Sequence, residues 1–165
     1  MAIHANGREY DISLVPSDQL TTVTSQYLVV GMVAGTTTAD RAVELCGQTN
    51  TVGTPTATSR HAIGINQSYL SSGSTICDVR LFGVSKAKCS ASITAGEFVV
   101  AYEGVSTTTR AGQIAPIADG ASISAATASI AAHSVVLGRA LEDGSTNTVI
   151  SVFLNPQLYD QNLIS

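Results

Sequence analysis

Tryptophan is absent from this 165-residue sequence, and aromatic residues make up only 5% of it. A groove that stacks sugar rings or flat ligands needs exposed aromatic walls, so this poverty argues against a ligand-binding β module. Charge is scarce too, at 12% of residues, while Ser, Thr, Gly and Ala abound. Long surface helices need a charged face; many short strands and turns do not. The net charge of −4 leaves no basic patch, which argues against nucleic acid as a partner. No apolar run approaches the ~20 residues of a membrane span, and Met1-Ala2-Ile3-His4 is no signal peptide. Use without export, and without a membrane partner, is the expectation.

Catalytic signatures are missing as well. There is no G-x-S-x-G, P-loop, H-E-x-x-H or G-x-G-x-x-G. His4, His61 and His133 lie far apart, with no Cys, Asp or Glu clustered at ligand spacing, so neither metal nor cofactor is expected. Glu142-Asp143 are neighbours at a turn, where adjacent side chains diverge, and they read as solvated. Asn66-Gln67-Ser68 matches a glycosylation acceptor by chance composition. Cys46, Cys77 and Cys89 are odd in number, form no C-x-x-C and have apolar neighbours; they read as small buried hydrophobes with free thiols. A Cys–His pair would meet only in the fold, and no spacing points to one. The chain reads as non-enzymatic.

What the sequence does hold is strand and turn. At 165 residues it is one domain, or two small lobes sharing a core, able to bury ~70% of its unfolded surface. Ser134–Pro156 reads as a hairpin: Val135-Val136-Leu137-Gly138, a turn at Asp143-Gly144-Ser145-Thr146-Asn147, then Val149–Leu154. Pro156, lacking an N–H, is expected to close the strand. An earlier stretch repeats the layout. Gly64 answers Gly138, Gly73-Ser74-Thr75 answers Gly144-Ser145-Thr146, and Val79 and Leu81 answer Val152 and Leu154. Upstream, Ala39 set on Ala95 puts Asp40 on Gly96, Val43 on Val99 and Val30–Val33 on Lys86–Cys89. The expected fold is therefore all-β: a compact sandwich or barrel of two similar units, copy one 26–83 and copy two 84–156, with no helix beyond about three turns. A low-complexity segment, Ala118–His133, forms a mobile loop or short helix in the second copy. Residues 157–165 make a tail.

Residues 1–25 differ from the body. Tyr10, Ile12 and Leu14 alternate with polar residues before Pro16 interrupts. Two readings stand: a terminal strand packed on its own domain, or an extended arm carrying those three residues to a neighbouring protein. The copies also differ in polarity. In this alignment Ala42, Glu44 and Cys46 become Phe98, Val100 and Tyr102, while Asp78 and Arg80 become Ser151 and Phe153. An apolar face on both sides of a strand is buried on both sides. Either the long second loop or another subunit covers Phe98, Val100, Tyr102 and Phe153.

The segments Ile93-Thr94-Ala95-Gly96-Glu97-Phe98-Val99, Val136-Leu137-Gly138-Arg139-Ala140-Leu141-Glu142 and Val152-Phe153-Leu154 resemble the capsid cement (head decoration) proteins of tailed bacteriophages. The resemblance spans roughly 26–156 and leaves the arm and tail unmatched. Copy one departs from it, with Asp40 for the turn glycine and Ile65-Asn66-Gln67-Ser68 in place of A-L-E. It implies a non-enzymatic all-β protein, a homotrimer on the outer capsid surface at threefold positions. The partners would be the major capsid protein and itself, assembled in host cytoplasm. Another virion part, such as a head fibre base or tail component, is the nearest alternative, ahead of a non-viral ligand-binding β module.

Overall fold

The computed structural model describes residues 9–16, 20, 26–32, 42–46, 62–102, 110–117 and 135–158. Nine strands run through these residues: β1 (Tyr10–Pro16), β2 (Val29–Met32), β3 (Ala42–Leu45), β4 (Ala62–Asn66), β5 (Cys77–Lys88), β6 (Phe98–Ala101), β7 (Ile114–Pro116), β8 (Val135–Ala140) and β9 (Val149–Leu158). β-Branched residues recur in them, as at Val29 and Val30 in β2 and at Val149, Ile150 and Val152 in β9, where a branched Cβ packs well on a pleated surface. The chain is all-β. Strand order is β1-β3-β2-β4-β5-β9-β8-β6-β7, and a second pairing of β1, with β5, closes the first five strands into a barrel.

β5 belongs to two barrels. Its first half pairs with β1 and β4; its second half, from Gly83 onward, pairs with β9. Around that second half the pairings of the first barrel recur. Ile12 opposes Val79 as Ser85 opposes Val152, and Leu14 opposes Cys77 as Ala87 opposes Ile150. Val30 opposes Gly64 as Val99 opposes Gly138, each beside an extra residue in the partner strand, Ile63 in β4 and Leu137 in β8. The parallel contact of Pro16 with Val43 returns as the parallel bridge of Cys89 with Ile114, where Ser90 N and Oγ both donate to Ile114 O at 2.8 Å. That bridge closes the second barrel. Even the entry turn is shared: Tyr27 (φ 64°) and Gly96 (φ 91°) are both left-handed, and their N–H groups donate to Asn66 O and Ala140 O at 2.8 Å.

The duplication therefore runs β1 to the start of β5, then the rest of β5 to β9. This corrects the alignment of the upstream strands. The counterpart of β6 is β2, not β3; the counterpart of Gly96 is Tyr27, not Asp40; and the first copy begins at β1 rather than at residue 26. The arm reading fails for Tyr10–Pro16. That stretch is hydrogen-bonded to β3 and β5, Leu14 is buried and Ile12 packs on the same core. Pro156 does not end β9, which pairs on to Leu158 opposite Val135. The segment 118–133, the tail beyond 158 and most of 1–25 lie outside the described residues.

Two apolar clusters fill the structure. One occupies the first barrel and includes Leu14, Leu20, Val30, Val43, Cys77 and Val79. The other occupies the second barrel, with Ala87, Ile93, Val99, Ile114, Ile150 and Val152, and extends to Val29, Cys46, Ala62 and Ile65 of the first. An outer face of barrel one is thus buried against barrel two. Fully burying a Val, Leu or Ile side chain stabilises by about 1.5–3 kcal/mol, so this shared cluster couples the lobes.

Candidate interaction face

One row of residues crosses four strands on the outside of barrel two. Phe98 on β6 opposes Arg139 on β8, Arg139 opposes Phe153 on β9, and Phe153 opposes Val84 on β5. Neighbouring strands lie ~4.8 Å apart, so these side chains form one continuous ribbon. Phe98 is 46% exposed, Val84 44% and Phe153 38%. The Arg139 guanidinium lies 4.1 Å from the centre of the Phe98 ring. Phe82 meets Phe153 edge to face, with centroids 5.6 Å apart, and widens the ribbon. Further along the same face, Lys86 bridges Glu142 at 3.1 Å and donates to Ser151 Oγ at 2.9 Å, beside exposed Leu141.

The matching row of barrel one is Val29, Ile65, Arg80 and Asp11. It is satisfied within the chain. Val29 and Ile65 are buried under barrel two, and Arg80 holds Asp11 at 2.8 Å and Glu9 at 3.1 Å while donating to Val84 O. The hydrogen bond to Asp11 raises the Arg80 pKa further above its ordinary value. The change of Arg80 to Phe153 seen between the copies is therefore a change from an ion-paired position to an open aromatic one.

Of the four residues expected to share an apolar face, Phe98 and Phe153 are exposed and joined through Arg139. Val100 stands on the same side of β6 but is only 2% exposed, opposite buried Val136. Tyr102 is half-buried, with the Arg110 guanidinium 5.9 Å from its ring centre. Val100 thus drops out of the accessible set. Of Tyr10, Ile12 and Leu14, only Tyr10 is exposed. Arg139, Val84 and Phe82 were not anticipated. Arg139 sits inside the L-G-R-A segment and Val84 follows the alternation of β5, but their meeting depends on strand register.

The other sequence candidates have structural duties. Glu142 accepts from Ser151 N and Lys86, and the Ser151 bonds, with Lys86 after them, lower its pKa. Asp143 accepts from Ala95 N at 2.7 Å, in the turn before β6, so the two carboxylates serve different segments. Asn66 is buried and bonds Ser68 O and N. Cys46, Cys77 and Cys89 are buried and form no disulfide; burial, then the nearby Asp78, pushes the Cys77 thiol up to about 11. No cluster of three His, Cys, Asp or Glu able to hold a metal occurs among the described residues, nor any helix long and apolar enough to cross a membrane. The three histidines lie outside those residues. The row itself offers aromatic surface and one cation, groups enriched where proteins meet. Compared with known proteins, the chain matches no family, no curated protein and no solved structure.

Proposed function

We propose that this chain is a structural virion protein that decorates and stabilises the outer surface of a tailed-phage capsid. It works without cofactor or catalysis, as a homotrimer at threefold positions, with the major capsid protein and itself as partners. The observation that carries the reading is the open aromatic row on a coupled double barrel, added to the cement-like motifs at Ile93–Val99 and Val136–Glu142. A cement protein must present adhesive surface on a body that does not deform. Aromatic residues and arginine are the groups that carry most of the energy in such contacts.

The test is direct. Labelled protein is mixed with expanded heads of the phage encoding it, stripped of decoration, and sedimented through a gradient. Saturable co-sedimentation, with label over the whole head by negative stain, is expected. Label confined to the tail or to a single vertex, or protein left at the top of the gradient, would refute decoration.

A further inference from the structure

We infer that β5 is a hinge between the barrels: opened at Gly83, it lets two copies of this chain exchange second barrels, and Arg80 is the strap that keeps a single chain closed. The inference goes beyond the proposed function and does not rest on it. Barrel one ends and barrel two begins within β5, so among the described residues the chain passes from one to the other only at Leu81–Gly83. That passage is sharply bent. Gln67 N donates to Asp78 O at 2.8 Å, and Gln67 Nε2 donates to Ser85 Oγ at 2.9 Å. In extended chain Asp78 and Ser85 would stand about 23 Å apart, yet one glutamine reaches both. Tyr27 shows the same bend: its N–H donates to Asn66 O, beside Val79, and its C=O accepts from Lys88 N at 3.1 Å. Gly83 makes the turn with φ 99°, a left-handed conformation that side chains disfavour.

The seam that the bend closes consists of contacts between barrels, and each forms equally well between copies. Barrel two lays Gly112 between Val29 and Cys46: Val29 N donates to Gly112 O at 2.6 Å, and Gly112 N to Cys46 O at 2.7 Å. Ala111 joins the core of barrel one, while Val29, Cys46, Ala62 and Ile65 join that of barrel two. A second copy brings the same Ala111, Gly112, Ser85 and Lys88, so exchange needs no new complementary surface. Arg80 is different. Its guanidinium holds Asp11 at 2.8 and 3.0 Å and Glu9 at 3.1 Å, and from that anchor at the start of β1 it donates to Val84 O, one residue past Gly83. In a straight strand Val84 would lie about 13 Å from Arg80, beyond the reach of one side chain, so this bond exists only while β5 is bent. The seam contacts favour neither form; the strap favours the closed one. Losing Arg80, or placing a β-branched residue at Gly83, shifts the balance to exchange, which concentration then drives by mass action.

Cross-linking across the seam decides the matter, because it reads which chain supplies each barrel whatever the assembly state. Tyr27→Cys and Lys88→Cys put one thiol on each side of the seam at half-buried positions, while the native thiols are buried. The full chain carrying both is refolded from guanidinium at high or low concentration, treated with a short bis-thiol reagent and run on a denaturing gel. In the otherwise wild-type chain the link should close within one chain, at 16.9 kDa, at either concentration. Adding Gly83→Val or Arg80→Met should move most of the linked protein to twice that mass after concentrated refolding and little of it after dilute refolding. Gly73→Ala, at a turn away from the hinge, should leave the one-chain band unchanged. A two-chain band in the wild-type background, a pair that fails to link, or one-chain bands in both hinge variants at high concentration would overturn the inference. So would a two-chain band indifferent to concentration, or loss of the β-type circular dichroism spectrum in both hinge variants.

Discussion

Gly64 and Gly138 hold the two barrels to one geometry. Each faces the backbone of the next strand so closely that an added Cβ would lie 2.2 Å from Arg80 O or 1.9 Å from Phe153 O. Real Cβ atoms do not approach carbonyl oxygens so nearly, and the obstacle is main chain, which cannot rotate away. Gly64→Ala and Gly138→Ala should each destabilise by about 3–5 kcal/mol, at the severe end for single substitutions. Gly73→Ala, at a turn whose added Cβ meets nothing, pays only for its positive φ, about 1–2 kcal/mol. Urea unfolding of the three variants checks the order; equal losses would show that the close approach does not limit the site. The thiols make a second residue-scale case. Cys77 Sγ lies against Leu14 O at 3.6 Å, and its raised pKa leaves little thiolate at pH 8. A disulfide-exchange reagent should leave Cys77 unlabelled in the native protein for hours and label it at once in guanidinium. Rapid native labelling would place it at the surface.

At the scale of elements, the most consequential strand is β1. Among the described strands it alone pairs with both β3 and β5, so it closes the first barrel. Deleting residues 2–20 should abolish the cooperative melt rather than trim a dispensable arm. Leu14→Ala alone should cost about 2–5 kcal/mol, as for other buried leucines. A truncated protein that melts like the wild type would return β1 to the role of an arm. Part of this was legible in the sequence: the Ile12/Leu14 alternation, the strands flanking Gly64 and Gly138, and the match of Val79 and Arg80 with Val152 and Phe153. The alignment of the upstream strands was not. Matching Ala39-Asp40 to Ala95-Gly96 rests on common small residues, whereas the true equivalence of β2 with β6 is written in hydrogen bonds to strands far along the chain. Tyr27 holds the left-handed turn that Gly96 holds in the second copy, so the turn left no glycine to find. The same gap hid the row. Phe98 and Phe153 stand out as apolar, but Arg139 between them looks like an ordinary surface residue until register puts it there.

For the whole molecule, the asymmetry between like halves is what matters. Barrel one hides its outer row under barrel two and neutralises the remainder with Arg80, Asp11 and Glu9; in barrel two, Phe98, Phe153 and Val84 of the matching row are exposed. Under the proposed function, this exposed row is the surface through which the chain meets its partners on the capsid. Cryo-electron microscopy of heads decorated with the purified chain tests this most directly. Density is expected on the outer surface at the threefold positions, with the Phe98–Arg139–Phe153 row buried against a neighbouring protein. Bare heads, density on the inner wall, or outer density in which Phe98 faces solvent would contradict it.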